Sequence, residues 1–196
     1  LYATLYEIDE TGSLEPYLAN AVSYSEDGTD VTFTLNEGLT CHDGEPLTAE
    51  DVAYTFNRAA DPANAFTGNT AGFVMDSVGF EGAEAVSDLE VTIHVAQFQS
   101  INLGLISEVY VHCMDSYSAM SLEEAAAAPI GSGPYRFVEW VPDSYAIIEK
   151  VPDYTLREAN FDTIVWRVVP EASTRTAELI AGNVDIISNV VPDQID

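Results

Sequence analysis

Two short motifs pair a cysteine with a histidine, the residue types that zinc prefers as ligands. They are Cys41-His42 and His112-Cys113. Adjacent side chains in a regular strand point to opposite faces, so both members of a pair could bind one ion only from irregular backbone. The C-x-x-C spacing of many zinc sites is also missing. The sequence therefore predicts no metal site, and it predicts that His42 is a loop histidine fixed by hydrogen bonds.

The same two cysteines leave two states open. Cys41 and Cys113 could form one disulfide, which would suit an oxidising compartment. They could equally remain two buried thiols, a common state for cysteine. Sequence separation alone does not say whether the two residues are close enough to pair.

A serine between two glycines, Ser132, is the other residue whose setting resembles a reactive site. The tripeptide 131–133 is too short for a phosphate-binding loop and lacks its lysine. Ser132 also does not stand in the G-x-S-x-G pattern of a nucleophile elbow. The acidic pair Glu123-Glu124 lacks the alternating oxygen ligands of a calcium loop and is interpreted as a solvated helix face. The sequence predicts no enzyme and no cofactor, and a hydrolase is the least favoured class.

The charge balance is strongly acidic, with 33 Asp and Glu against 6 Lys and Arg and a formal net charge of −27. Acidic residues are spread along the whole chain, so nucleic acid and anionic membranes would be repelled. Spread acidity with Lys150 as the single lysine suggests a host that lives in high salt. The alternative is an ordinary acidic extracellular protein.

The elements that would position a site are clearest near the end of the chain. Residues 163–169 are almost continuously apolar, which is typical of a strand buried on both faces of a parallel sheet. We expect Ile164 and Trp166 to be buried there. A helix over 174–181 would follow, capped by Ser173 and ended by Gly182.

A second strand is predicted over residues 184–188, so strand, helix and strand would form a right-handed parallel crossover. Ligands in open α/β sheets bind beyond the carboxyl ends of such strands. The turn after Val169 and the segment 188–190 are therefore the first candidate site.

Earlier in the chain, the pattern predicts mainly antiparallel strands and short helices. Thr48 and Asp51 form a capping box for a helix that runs to about Arg58. Hairpins are expected at 21–25 with 30–36 and at 135–141 with 144–151. Further predictions are a strand over 88–96, a helix over 100–106, a strand over 108–112, a helix over 121–128 and a small-residue loop over 63–72.

Four blocks of the sequence resemble the extracytoplasmic solute-binding proteins of ABC importers that carry peptides, the dipeptide- and oligopeptide-binding family. They are LYATLYEIDETGSLEPYLA at 1–19, GLTCHDGEPLTAEDVAYTFNR at 38–58, PIGSGPYRFVEWVPDSYAIIEKVPDY at 129–154 and FDTIVWRVVPEASTRTAELIAGNVDI at 161–186. They follow the family's order and spacing over nearly the whole chain.

The resemblance implies a mixed α/β, type II periplasmic-binding-protein fold of two lobes, of which this chain would be most of lobe I. Residues 1–16 and 130–196 would form the incomplete core of that lobe, and residues 17–129 an inserted subdomain. The chain opens within an apolar pattern and closes on a sequence typical of a helix start, as expected of a segment of a longer protein.

The resemblance also implies a function and a set of site residues. The ligand would be a small peptide or other small solute, and the partner the membrane permease of an ABC importer. The protein would be extracytoplasmic, either periplasmic or anchored to the outer face of the cell membrane. Ligand-facing positions map to Ala65, Phe66, Thr67, Ser188 and Asn189. The alternative is a family relative that acts as a structural or surface-assembly protein.

Overall fold

Antiparallel sheets organise the chain in the computed structural model, which describes residues 1–64 and 70–190. A two-stranded sheet has the order β1-β2, a four-stranded sheet the order β3-β4-β6-β5, and a three-stranded sheet the order β7-β8-β9. The strands are β1 (Tyr6–Ile8), β2 (Leu14–Pro16), β3 (Ala19–Tyr24), β4 (Asp30–Leu35), β5 (Phe80–Ala85), β6 (Glu90–Val95), β7 (Tyr135–Val141), β8 (Tyr145–Lys150) and β9 (Thr163–Arg167). The helices are α1 (Ala49–Ala60), α2 (Thr70–Val78), α3 (Asn102–Ile106), α4 (Met114–Ala119), α5 (Leu122–Ala127) and α6 (Ala172–Ile180), with a 3-10 turn at Pro62–Asn64.

The main hydrophobic core lies between the four-stranded sheet and α1. Val31, Phe33 and Leu35 alternate with polar residues along β4, and all three are buried, which is typical of a strand with one face on the core. Val52 and Phe56 lie four residues apart on α1 and are fully buried against them. The expected hairpin of β3 and β4 and the strand β6 are confirmed.

The N-terminal segment belongs to this same core. Ala3, Leu5 and Tyr6 are buried in one cluster with the residues of the four-stranded sheet. The four-stranded sheet itself lies within 17–129 and the three-stranded sheet within 130–196. The division of the chain into lobe core and inserted subdomain stays a prediction.

Helix α1 begins with the predicted capping box. The Asp51 carboxylate accepts the backbone N–H of Thr48 at 2.7 Å, and the Thr48 side chain caps the helix in return. The second Asp51 oxygen accepts the N–H of Met114 at 2.7 Å. One buried carboxylate therefore starts α1 and fixes the beginning of α4, so this cap joins segments 63 residues apart.

The expected hairpin of β7 and β8 is present, but the parallel arrangement predicted beyond it is wrong. β9 pairs antiparallel with β8, with Ile164 opposite Ile148. Its far edge has no partner strand in residues 1–64 and 70–190. Trp166 is 54% exposed and Ile164 half-buried, so the predicted burial on both faces is also wrong. The apolar run identified a strand, but strand direction and burial depend on what packs against it.

The predicted second strand of that crossover is absent, because residues 184–188 form no ladder in the described part of the chain. Helix α6 begins at Ala172 with Glu171 as N-cap, not at the predicted Ser173 cap. Gly182 ends the helix as expected, with φ of +72°. Its N–H bonds Leu179 O at 3.0 Å, a Schellman-type ending.

Two further predictions need correction, and two elements were not predicted. Residues 108–112 form no strand, since Val111 makes a single backbone bond to Ala3 O at 2.9 Å where a ladder would need several. The predicted loop over 63–72 contains the start of α2 at Thr70. β5 and α4 were not predicted, because glycine and alanine in β5 and serine in α4 carry little local preference.

Within 1–64 and 70–190, no helix combines the length and the apolar composition needed to span a membrane.

Candidate functional site

One arginine side chain brings the two predicted parts of the site together. Arg175 of α6 donates from Nη1 to Val169 O at 2.9 Å and to Pro170 O at 2.7 Å. It donates from Nε to Ser188 O at 3.2 Å and from Nη2 to Asn189 O at 3.1 Å. The planar fork of the guanidinium suits such convergent acceptors. The turn after β9 and the segment 188–190 therefore lie side by side, although no parallel strand leads into the second.

The segment held by Arg175 is at the surface. Ser188 and Asn189 are exposed, and Val190 is 39% exposed. Asn189 has φ of +56°, a left-handed conformation that asparagine tolerates better than most residues. An exposed turn with fixed backbone groups can offer hydrogen bonds to a ligand.

Sequence reasoning missed Arg175 as the organising residue. It had located Ser188 and Asn189 from the resemblance and from the expected strand end. Arg175 stands in a helix among polar residues, where an arginine is usually a solvated surface charge. A guanidinium that bonds carbonyl groups 13 and 14 residues further along the chain leaves no local sequence signal.

The other predicted ligand-facing residues, Ala65, Phe66 and Thr67, lie outside the described residues. Their N-terminal flank is the 3-10 turn, where Asn64 donates to Arg58 O at 3.1 Å. Asn64 and Arg58 line an open groove of about 750 Å³ between α1 and the edge of β5. Such a volume lies within the range of small-molecule sites.

The edge of β5 in this groove is partly closed by an asparagine of α1. Asn57 donates to Ala83 O at 2.8 Å and accepts from Ala83 N at 3.1 Å. Its amide thus bonds the strand edge as another strand would, which blocks pairing at that residue.

The two Cys-His motifs serve structure and bring distant loops together. Cys41 and Cys113 form a disulfide, with Cα atoms 6.2 Å apart. Of the two states that the sequence left open, the structure has the bonded one. His42 Nδ1 accepts the N–H of Gly131 at 3.2 Å, so Nε2 carries the proton and donates to Gly133 O at 2.9 Å. His42 is a loop histidine fixed by hydrogen bonds, as predicted, and its burial lowers its pKa.

His112 lies in an aromatic cluster. Its ring stacks on Tyr117 with centroids 4.6 Å apart and meets the edge of Tyr2 at 5.2 Å. The hydroxyls of Tyr2 and Tyr117 share a hydrogen bond. Burial, helped by the positive charge of Arg58, lowers the pKa of His112 to about 4. His112 is therefore neutral at pH 7.

The described residues hold neither a metal-binding cluster nor an activated serine. Among residues 1–64 and 70–190, no three His, Cys, Asp or Glu side chains are grouped so as to hold an ion. Ser132 is buried, and its hydroxyl has no hydrogen-bond partner among those residues, so no base lies within reach to activate it.

The family model of bacterial extracellular solute-binding proteins, family 5 (middle region), matches residues 13–196. The chain belongs to this family. The family match agrees with the resemblance identified from the four sequence blocks.

Family 5 relatives are named for several ligands. The oligopeptide-binding protein AppA of Bacillus subtilis is 27% identical over 195 residues, covering 96% of this chain and 35% of that protein. The glutathione-binding protein GsiB of Pectobacterium atrosepticum is 30% identical over 183 residues, covering 92% and 35%. A nickel-binding periplasmic protein of Escherichia coli is 25% identical over 189 residues, covering 95% and 35%. The chain thus spans about a third of the length of these relatives.

The fold matches that of a solved dipeptide-binding protein. The dipeptide-binding protein of Pseudoalteromonas sp. SM9913, solved in complex with Met-Leu, superposes with a TM-score of 0.85 at 27% identity. The match covers all of this chain and 42% of that structure. The predicted mixed α/β periplasmic-binding-protein fold, present in part, is therefore confirmed.

Proposed function

We propose that this chain is part of a receptor that binds a small peptide outside the cytoplasm and delivers it to the membrane permease of an ABC importer. The observation that carries the proposal is the superposition of the whole chain on a dipeptide receptor solved with its ligand. Family 5 relatives named for oligopeptides and glutathione support the same ligand class.

Two features of the chain support this function and an extracytoplasmic location. The Cys41–Cys113 disulfide suits an oxidising, extracytoplasmic compartment. The exposed turn at Ser188 and Asn189 offers backbone groups, which suit a ligand whose side chains vary. In this proposal those two residues contact the ligand together with Ala65, Phe66 and Thr67, and the protein binds its ligand without altering it.

A thermal-shift screen on the full-length protein that contains this chain tests the proposal. A ligand that binds the folded state raises the melting temperature by mass action. A pool of dipeptides to pentapeptides should raise it by several degrees, whereas a pool of mono- and disaccharides and nickel with histidine should not. A rise in melting temperature with sugars or nickel, and none with peptides, would mean that the protein binds that ligand instead of a peptide. No shift with any of the three would favour the structural or surface-assembly role.

A further inference from the structure

The peptide groups on either side of Asn189 have a fixed orientation, because one side chain holds both of their carbonyl oxygens. Arg175 bonds Ser188 O at 3.2 Å and Asn189 O at 3.1 Å. The N–H of a planar trans peptide points opposite to its C=O, and no peptide bond of the described chain is cis. The N–H groups of Asn189 and Val190 therefore point away from the guanidinium.

No described residue competes with a ligand for these two N–H groups. Neither has a hydrogen-bond acceptor among the described residues, and both residues are exposed. They are consecutive, and the positive φ of Asn189 lies between them. Successive N–H groups in such turns form concave sites for anions and for other acceptor oxygens.

The positive charge of Arg175 lies behind these donors. Three other arginines, Arg136, Arg157 and Arg167, form ion pairs with glutamates. Arg175 has no carboxylate within 4.0 Å in the part of the chain that the structure describes, and it bonds carbonyl oxygens instead. A hydrogen bond to a carbonyl oxygen polarises the peptide group and strengthens its N–H as a donor. This turn is thus a local positive site on a chain with net charge −27.

We propose that Arg175 is a positioning residue that aims the N–H groups of Asn189 and Val190 at an acceptor oxygen of the bound peptide. That oxygen belongs either to a backbone carbonyl or to the terminal carboxylate. The proposal rests on the proposed peptide-binding function. Lysine cannot replace Arg175, because a single ammonium nitrogen with three donors cannot reach carbonyls that three guanidinium nitrogens now hold.

The test uses the full-length protein, with Met-Leu and a pool of tripeptides to pentapeptides as probes. Hydrogen exchange of the segment 187–190, followed by mass spectrometry, should slow at least tenfold when peptide is bound. Arg175→Met and Arg175→Lys should each weaken peptide affinity at least tenfold. Arg167→Met is the matched control, since it removes a nearby arginine that pairs with Glu178, and it should leave affinity unchanged.

Two further arms separate the possible outcomes. If the acceptor is the terminal carboxylate, C-terminally amidated peptides should lose affinity in the unaltered protein and lose little more in Arg175→Met. If it is a backbone carbonyl, free and amidated peptides should lose affinity equally in that variant.

The inference is overturned if peptides bind but hydrogen exchange over 187–190 does not change. It is also overturned if Arg175→Met binds peptides as tightly as Arg167→Met does. If the unaltered protein binds no peptide, the proposed function fails and the role of Arg175 toward a peptide fails with it. The two failures are distinguished by whether the unaltered protein binds the probes.

Discussion

At the scale of single residues, Gly131 leaves no room for a side chain. A Cβ added there would lie 2.2 Å from the carbonyl oxygen of Leu1, which is backbone and cannot move aside cheaply. Gly131→Ala should therefore destabilise the chain by about 1–3 kcal/mol, as overpacking does. Gly104→Ala is the control, because a Cβ at that helical position meets nothing within 4 Å and should stabilise slightly. Equal urea midpoints for the two variants would contradict the account.

His112 should make stability depend on pH. Its pKa is about 4 in the folded chain because of burial, against an ordinary value near 6.5, so the folded state favours the neutral ring. The stability that comes from the neutral His112 ring is fully present above pH 6.5. As the pH falls toward 4, the free energy of unfolding decreases by on the order of 3 kcal/mol.

The matched variant for this prediction is His112→Phe, which keeps a ring against Tyr117 but cannot titrate. Urea unfolding from pH 7 to pH 4 should show a smaller loss of stability in His112→Phe than in the unaltered chain. Parallel pH profiles would mean that the His112 ring is not buried.

Residue-scale features could be predicted where their partners are local in sequence. Thr48 with Asp51 and Ser121 with Glu124 form capping boxes. The first was predicted from its three-residue spacing, and for the second the sequence predicted the helix but not its capping box. The partners of His42 lie about 90 residues away, so its bonds to Gly131 and Gly133 had no local signal. Arg175 was missed for the same reason, since its role is to join two separate segments.

At the scale of elements, β9 shows what an apolar run does and does not predict. The run correctly located a strand, but it carried no information on direction, which the neighbouring β8 determines by antiparallel pairing. Apolar residues on both faces normally indicate cover on both faces. No described segment covers them here, and Val165, Trp166 and Val168 are each more than half exposed.

The exposure of β9 has a measurable consequence for mutations. Trp166→Ala should cost less than about 1 kcal/mol in this chain, because little packing is lost from a side chain that is 54% exposed. Phe33→Ala, at a fully buried position of β4, should cost about 3–5 kcal/mol. Chemical denaturation of chain 1–196 provides both values, and a loss above 3 kcal/mol for Trp166→Ala would show that β9 is covered.

At the scale of the whole molecule, the formal charge of −27 is the dominant feature. Like charges spread over a small body repel one another and favour expanded states. The Debye length falls from about 10 Å at 0.1 M salt to about 3 Å at 1 M, so salt should screen this repulsion.

The melting temperature should therefore rise by several degrees between low and molar KCl, and it should level off once screening is complete. Differential scanning calorimetry across a KCl titration measures this. A flat or falling melting temperature would mean that the acidity is incidental, and the high-salt habitat suggested by the sequence would lose its support.

The most direct test of the central claim, that this chain is one part of a peptide receptor, compares peptide binding by the chain alone and by the full-length protein. Receptor sites for small ligands usually enclose most of the ligand surface. This chain spans about a third of the length of its relatives, so it should supply only part of such a site. Isothermal titration calorimetry with the peptide pool should give micromolar or tighter binding for the full-length protein and no measurable binding for residues 1–196. Micromolar peptide binding by residues 1–196 alone, or none by the full-length protein, would contradict the claim.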